Sequence, residues 1–127
     1  MQSIKFQSIG YGKLLHIDGE IRLPSGQKLN KAAPSKIEVY ENEGKGWTLT
    51  EKVNLNEFFA ITELIGFQKP IRLKSDKSEL KIVASLYHCP RMGHGICVID
   101  DYEGLIPRSK TKVTSEVQIV LNGSNPK

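Results

Sequence analysis

Glu79-Leu80-Lys81-Ile82-Val83-Ala84-Ser85-Leu86-Tyr87 leads directly into His88-Cys89-Pro90-Arg91-Met92-Gly93-His94-Gly95-Ile96-Cys97-Val98. The first part is rich in aliphatic and β-branched residues and reads as a central strand, apolar on both faces. The second holds both cysteines, two of the three histidines and one of the two methionines of the chain. Ile96 to Ile99 is apolar again, so the whole reads as a strand, a cysteine-bearing loop and a further short strand. Nearly every side chain able to exchange electrons or ligate a soft metal is gathered here.

Working outward, the same strand-and-turn grammar recurs. Leu15, Ile17, Ile21 and Leu23 alternate with His16, Asp18, Glu20 and Arg22, which is a half-buried strand with His16 on its solvated face. Pro24-Ser25-Gly26 forms a turn, and Lys28 to Pro34 an irregular crossing segment, because Pro34 restricts Ala33 to extended conformations. Ile37, Val39 and Tyr40 mark a strand closed by Asn42-Glu43-Gly44. Trp47, Leu49, Val53 and Leu55 follow with period two, a strand with Trp47 in or near the core. Asn56 to Gly66 is ambiguous: Asn56 suits the cap of a helical turn, whereas Phe58, Phe59 and Ile61 suit a strand or packed loop. Pro70 to Leu73 is a short strand and Ser75 to Ser78 a turn. Asp100 to Gly104 reads as a turn-rich connection. The last strand places Val113, Val117, Ile119 and Leu121 inward.

About seven short strands with regular turn signals and little helix indicate an all-β fold, an antiparallel immunoglobulin-like β-sandwich. It is expected over residues 13–121, after an N-terminal arm (1–12) and before a frayed polar tail (122–127). A chain of 127 residues fits one such domain. The net charge of +4 comes from scattered lysines and arginines without interleaved aromatics, which argues against a nucleic-acid surface. No apolar run is long enough for membrane insertion, and no signal peptide is visible. The expected compartment is therefore cytoplasmic, or a periplasm or lumen if the chain is excised from a longer precursor. Phosphate loops, dinucleotide fingerprints, zincin helices and nucleophile elbows are all missing from the sequence. No cofactor is expected.

The residues of the loop leave three readings open. If the flanking strands pair as a hairpin, Cys89 and Cys97 come within the roughly 4.4–6.8 Å between Cα atoms that a disulfide uses. So short a loop gains about 2–3 kcal/mol from bridging. Gly93 and Gly95 would leave such a bridge exposed and reducible, with His88 and His94 near enough to favour a thiolate. Alternatively, His88, Cys89, His94 and Cys97 are the inventory of a tetrahedral zinc site, with Met92 as a further soft ligand for copper(I). That spacing departs from the usual two separated ligand pairs, and adjacent His88 and Cys89 point to opposite faces of a strand. In the third reading the cysteines and histidines have no special chemistry.

Two stretches together carry a family resemblance. Leu23-Pro24-Ser25-Gly26-Gln27-Lys28-Leu29-Asn30-Lys31-Ala32-Ala33-Pro34-Ser35 resembles the segment that opens the C-terminal β domain of NHL-repeat proteins carrying a thioredoxin-like domain. Leu86-Tyr87-His88-Cys89 with Gly95-Ile96-Cys97 resembles the cysteine segment of that domain, and is similar to one in the immunoglobulin-like N-terminal domain of the thiol–disulfide interchange protein DsbD. The resemblance runs from about Lys13 to Leu121, with its specific part in some twenty residues. It implies an immunoglobulin-like fold in which Cys89 and Cys97 are the redox pair, Tyr87 packs beside them, and a thioredoxin-fold protein or domain is the partner. The chain would then be at most a thiol–disulfide exchange component, without turnover unless the partner is present. Of the two sulfurs, Cys89 is expected to be the more nucleophilic because His88 adjoins it. The family usually places five residues between the cysteines, whereas this chain has seven, His94 among them. The alternatives are a non-catalytic interaction domain with a structural disulfide, or a small Cys/His metal-binding domain.

Overall fold

Period-two alternation builds two β layers whose inward side chains meet. The computed structural model describes residues 1–58, 63–93 and 95–125. Its strands are β1 (Gln2–Ser3), β2 (Leu14–Arg22), β3 (Gln27–Leu29), β4 (Lys36–Asn42), β5 (Trp47–Asn54), β6 (Leu64–Arg72), β7 (Glu79–Pro90), β8 (Val98–Ile106) and β9 (Glu116–Asn122). A six-stranded sheet runs β1-β8-β7-β4-β5, with β3 also pairing β7; a three-stranded sheet runs β6-β2-β9. Leu15, Ile17 and Ile21 of β2 and Leu80, Ile82 and Leu86 of β7 belong to the hydrophobic core between the sheets. Each such side chain removed from water contributes about 1.5–3 kcal/mol.

The chain is thus an all-β sandwich, as expected. It differs from the expected form in having nine strands among the described residues and mixed sheets. β1 runs parallel to β8, and β9 runs parallel to β2. The arm is not detached from the sandwich: Ile9 is buried in the core and bridges to Arg108. Neither is the tail free at its start, because the Gly123 N–H donates to the Arg22 carbonyl. Part of the crossing segment after the Pro24–Gly26 turn is a strand, β3, because its backbone completes the ladder of β7.

Several strand readings are corrected, each for a physical reason. Trp47 and Leu49 lie outside the core. A bulge opposite the Val39/Tyr40 step skips Thr50 in the β4–β5 register, and one extra residue reverses which face the preceding positions occupy. Val53 stays inward while Trp47 lies under the Lys81 ammonium, 4.6 Å from the ring centre. The segment Asp100 to Gly104 is not a connection but the middle of β8. Its glycine is a close approach rather than a turn, since a Cβ on Gly104 would stand 2.3 Å from the Ile4 carbonyl oxygen. β6 is longer than the expected Pro70–Leu73 strand, and Val113 is fully exposed ahead of β9. In β7, Lys81, Val83, Ser85 and Tyr87 are half-buried, so the strand buries one face fully and the other only in part. The ambiguous region holds a 3-10 turn at Leu55–Phe58; Phe59 and Ile61 lie outside the described residues.

Within β2, Gly19 makes room for Phe67 of β6, its register partner. A Cβ there would fall 2.1 Å from the Phe67 ring, in a closed layer. Gly19→Ala is expected to destabilise the domain by about 1–3 kcal/mol, read as a lower denaturant midpoint. Combining it with Phe67→Leu is expected to recover part of that loss.

Candidate functional site

The loop is the tip of the β7–β8 hairpin. Tyr87 pairs with Ile99 and His88 with Val98, so the next rung sets Cys89 opposite Cys97. The two form a disulfide with their Cα atoms 4.2 Å apart, and among the described residues no cysteine is free. Positions Leu80, Ile82, Ala84, Leu86 and His88 of β7 face the core, which turns Tyr87 and Cys89 to the outer face. Cys89 is half-buried and Cys97 exposed. Around them Met92, Ile96 and Ile99 are exposed apolar side chains. Gly93 and Gly95 both have positive φ, which bends the loop back over Pro90.

His88 does something the sequence reading did not anticipate. It is 0% exposed and lies on the opposite side of the sheet from the sulfurs. Its Nδ1 is 2.9 Å from Gln27 Oε1 and its Nε2 2.8 Å from Asp100 Oδ2. Asp100 in turn accepts hydrogen bonds from the backbone N–H and hydroxyl of Ser124 and a longer one from Gln2 Nε2. Burial alone would raise the Asp100 carboxyl, but the Ser124 and His88 hydrogen bonds outweigh it and hold its pKa below the ordinary value. Gly123 passes so close that a Cβ there would be 3.0 Å from His88 Nε2. The expectation that His88 activates Cys89 is therefore corrected. A side chain pinned between Gln27 and Asp100 inside the sandwich does not face the sulfur.

The zinc inventory is likewise not assembled around His88. Both its ring nitrogens are engaged in the core, and Cys89 and Cys97 are bonded to each other. Among the described residues no group of three or more His, Cys, Asp and Glu is arranged to hold a metal ion. His94 lies outside the described residues. Tyr87 shares the outer face with Cys89, its N–H donating to Ser35 Oγ. His16 is solvent-exposed.

Gln27, Asp100 and Ser124 went unnoticed in the sequence, yet a signal for Asp100 existed. Counting back by twos from Ile106 through Gly104 and Tyr102 lands on Asp100 as an inward position. At the other end of β7 a second buried carboxylate, Glu41 of β4, accepts from the Lys74 and Ser75 N–H groups and from the Thr50 and Ser78 hydroxyls. Desolvation opposes its ionisation, but these donors prevail and hold its pKa below the ordinary value. No family model matches the chain, and no curated protein sequence matches it.

Both carboxyls have folded-state pKa values below their unfolded ones. Their contribution is present above the unfolded carboxylate values of about 3.9–4.3 and is lost as pH falls through the lower folded values. Asp100→Asn is expected to cost about 2–4 kcal/mol at neutral pH. As pH falls through the lowered folded-state value of Asp100, the variant's stability should approach that of the parent. Denaturant unfolding across a pH series checks both statements.

Proposed function

We propose that this domain exchanges the Cys89–Cys97 disulfide with a thioredoxin-fold partner. The observation that carries the reading is the position of the bridge. It lies at a hairpin tip on the outer sheet face, with Cys97 exposed and Met92, Ile96 and Ile99 around it, rather than between the sheets. An accessible bridge is open to in-line attack by a thiolate, whereas a core bridge is shielded. The resemblance of the Tyr87–Cys97 segment to redox-active β domains points the same way.

The exchange balances without any further reagent. A partner thiolate attacks Sγ of Cys97, the more exposed of the two residues; the Sγ–Sγ bond breaks and its electron pair leaves on Cys89 as a thiolate. The partner's second thiolate then attacks its own sulfur in the mixed disulfide and releases Cys97. The partner dithiol is oxidised, the domain disulfide is reduced, and the two released thiolates take protons from water. The apolar side chains around the bridge give the partner a surface to cover while the sulfurs align. The chain's own residues supply the sulfurs and that surface; turnover belongs to the pair of proteins.

A structural disulfide on a non-catalytic interaction domain is favoured by one observation. The bridge occupies the rung next to Val98–His88 and so closes the hairpin as a staple. The two readings separate on intact mass in a graded thiol redox buffer containing EDTA. An exchanging bridge is expected to open between about −270 and −120 mV. A thioredoxin-fold protein lacking its second cysteine is expected to become trapped on Cys97. A bridge that yields only to denaturing reduction makes it structural and sinks the exchange reading.

A further inference from the structure

Lys28 stands directly across the β3–β7 ladder from Cys89. Paired residues of an antiparallel ladder share a face, with Cβ atoms about 4.5–5.5 Å apart. That face is the outer one, because Gln27 and Leu29 on either side of Lys28 are buried while Lys28 is exposed. Its ammonium, on a flexible four-carbon stem, can therefore swing over the sulfur of Cys89.

Among the described residues, several other charged groups on the elements flanking this sulfur are already paired or face away from it. Arg91, just past the end of β7, lies 4.0 Å from Glu63. On the β8 side the neighbours are Cys97 and Ile99, both uncharged. Asp101 lies further down the outer face, opposite Ser85, whose hydroxyl it accepts. His88 and Asp100 are behind the sheet and pair with each other. Among the described residues Lys28 has no carboxylate within ion-pair distance.

We propose that Lys28 is the positioning residue of the redox pair, a cation set opposite Cys89 to stabilise its thiolate. In the exchange written above, Cys89 is the leaving sulfur, and a lower thiol pKa makes it leave faster. In the reverse direction the same charge keeps Cys89 deprotonated and ready to attack Cys97 in a mixed disulfide. This role rests on the exchange reading, but the electrostatic effect on Cys89 does not, and it is measured without a partner.

The test follows alkylation of Cys89 by iodoacetamide against pH in the Cys97→Ser protein, at low ionic strength, with intact mass as readout. Lys28→Met is expected to move the profile to higher pH and slow alkylation at neutral pH by about threefold. Lys28→Arg is expected to restore the parent profile, and roughly 1 M salt to erase the difference. A merely structural lysine would change unfolding and leave the profile in place. Coincident profiles with and without the Lys28→Met substitution overturn the assignment, whatever the partner assays return. If Cys97→Ser fails to fold, the same comparison is read at Cys89 by peptide mass in the reduced parent and in Lys28→Met.

Discussion

The buried contact between His88 and Asp100 is the constraint on which the cysteine end of this domain depends. It gathers five segments at one point: β7 through His88, β8 through Asp100, β3 through Gln27, β1 through Gln2 and the chain after β9 through Ser124. A buried pair of this kind adds little net stability over an apolar replacement, because desolvation offsets most of the attraction. Its effect here is orientation. A strand alternates, so an inward His88 obliges an outward Cys89, and a slip of one residue in β7 would bury the sulfur and leave Asp100 without its partner.

The far end of the same strand is organised by the same logic with different groups. Glu41 is sealed under the β6–β7 turn, accepting from the Lys74 and Ser75 N–H groups and the Ser78 hydroxyl. Arg108 caps the carbonyls of Gly12, Ser75 and Asp76 from the neighbouring side. Between these two polar anchors lies an aliphatic core, Leu80 to Leu86, that supplies the stability but specifies little by itself. The anchors fix the turn at one end and the hairpin at the other, and the disulfide sits on the hairpin they hold.

How much of this was legible follows from which signals are local. The period-two runs in β2 and β9 named their core faces correctly, since Leu15, Ile17, Ile21, Val117, Ile119 and Leu121 are all buried. The cysteines could be placed on either side of a hairpin loop because a strand on each side is a local feature. The rest was written across strands. Trp47 defeats a local reading because a bulge depends on the partner strand's register. β8 escapes one because Asp100 and Gly104, turn formers in isolation, are inward residues whose partners come from distant segments. His88 reads as a companion of Cys89 by adjacency, when adjacency on a strand means opposite faces.

The parallel pairing of β2 with β9 has a consequence for how the domain is made. His16 meets Glu116 across that ladder, and Gln2 meets Tyr102 in the other sheet. These contacts join the first strands of the chain to the last, whereas the β7–β8 hairpin joins neighbours. Loop closure over such separations is slow, and local pairings form before it. During synthesis the hairpin with both cysteines is therefore complete while one edge of β2 is still open, waiting for β9. For that interval the nascent domain exposes an unsatisfied strand edge, the kind of surface that chaperones bind and that aggregates grow from.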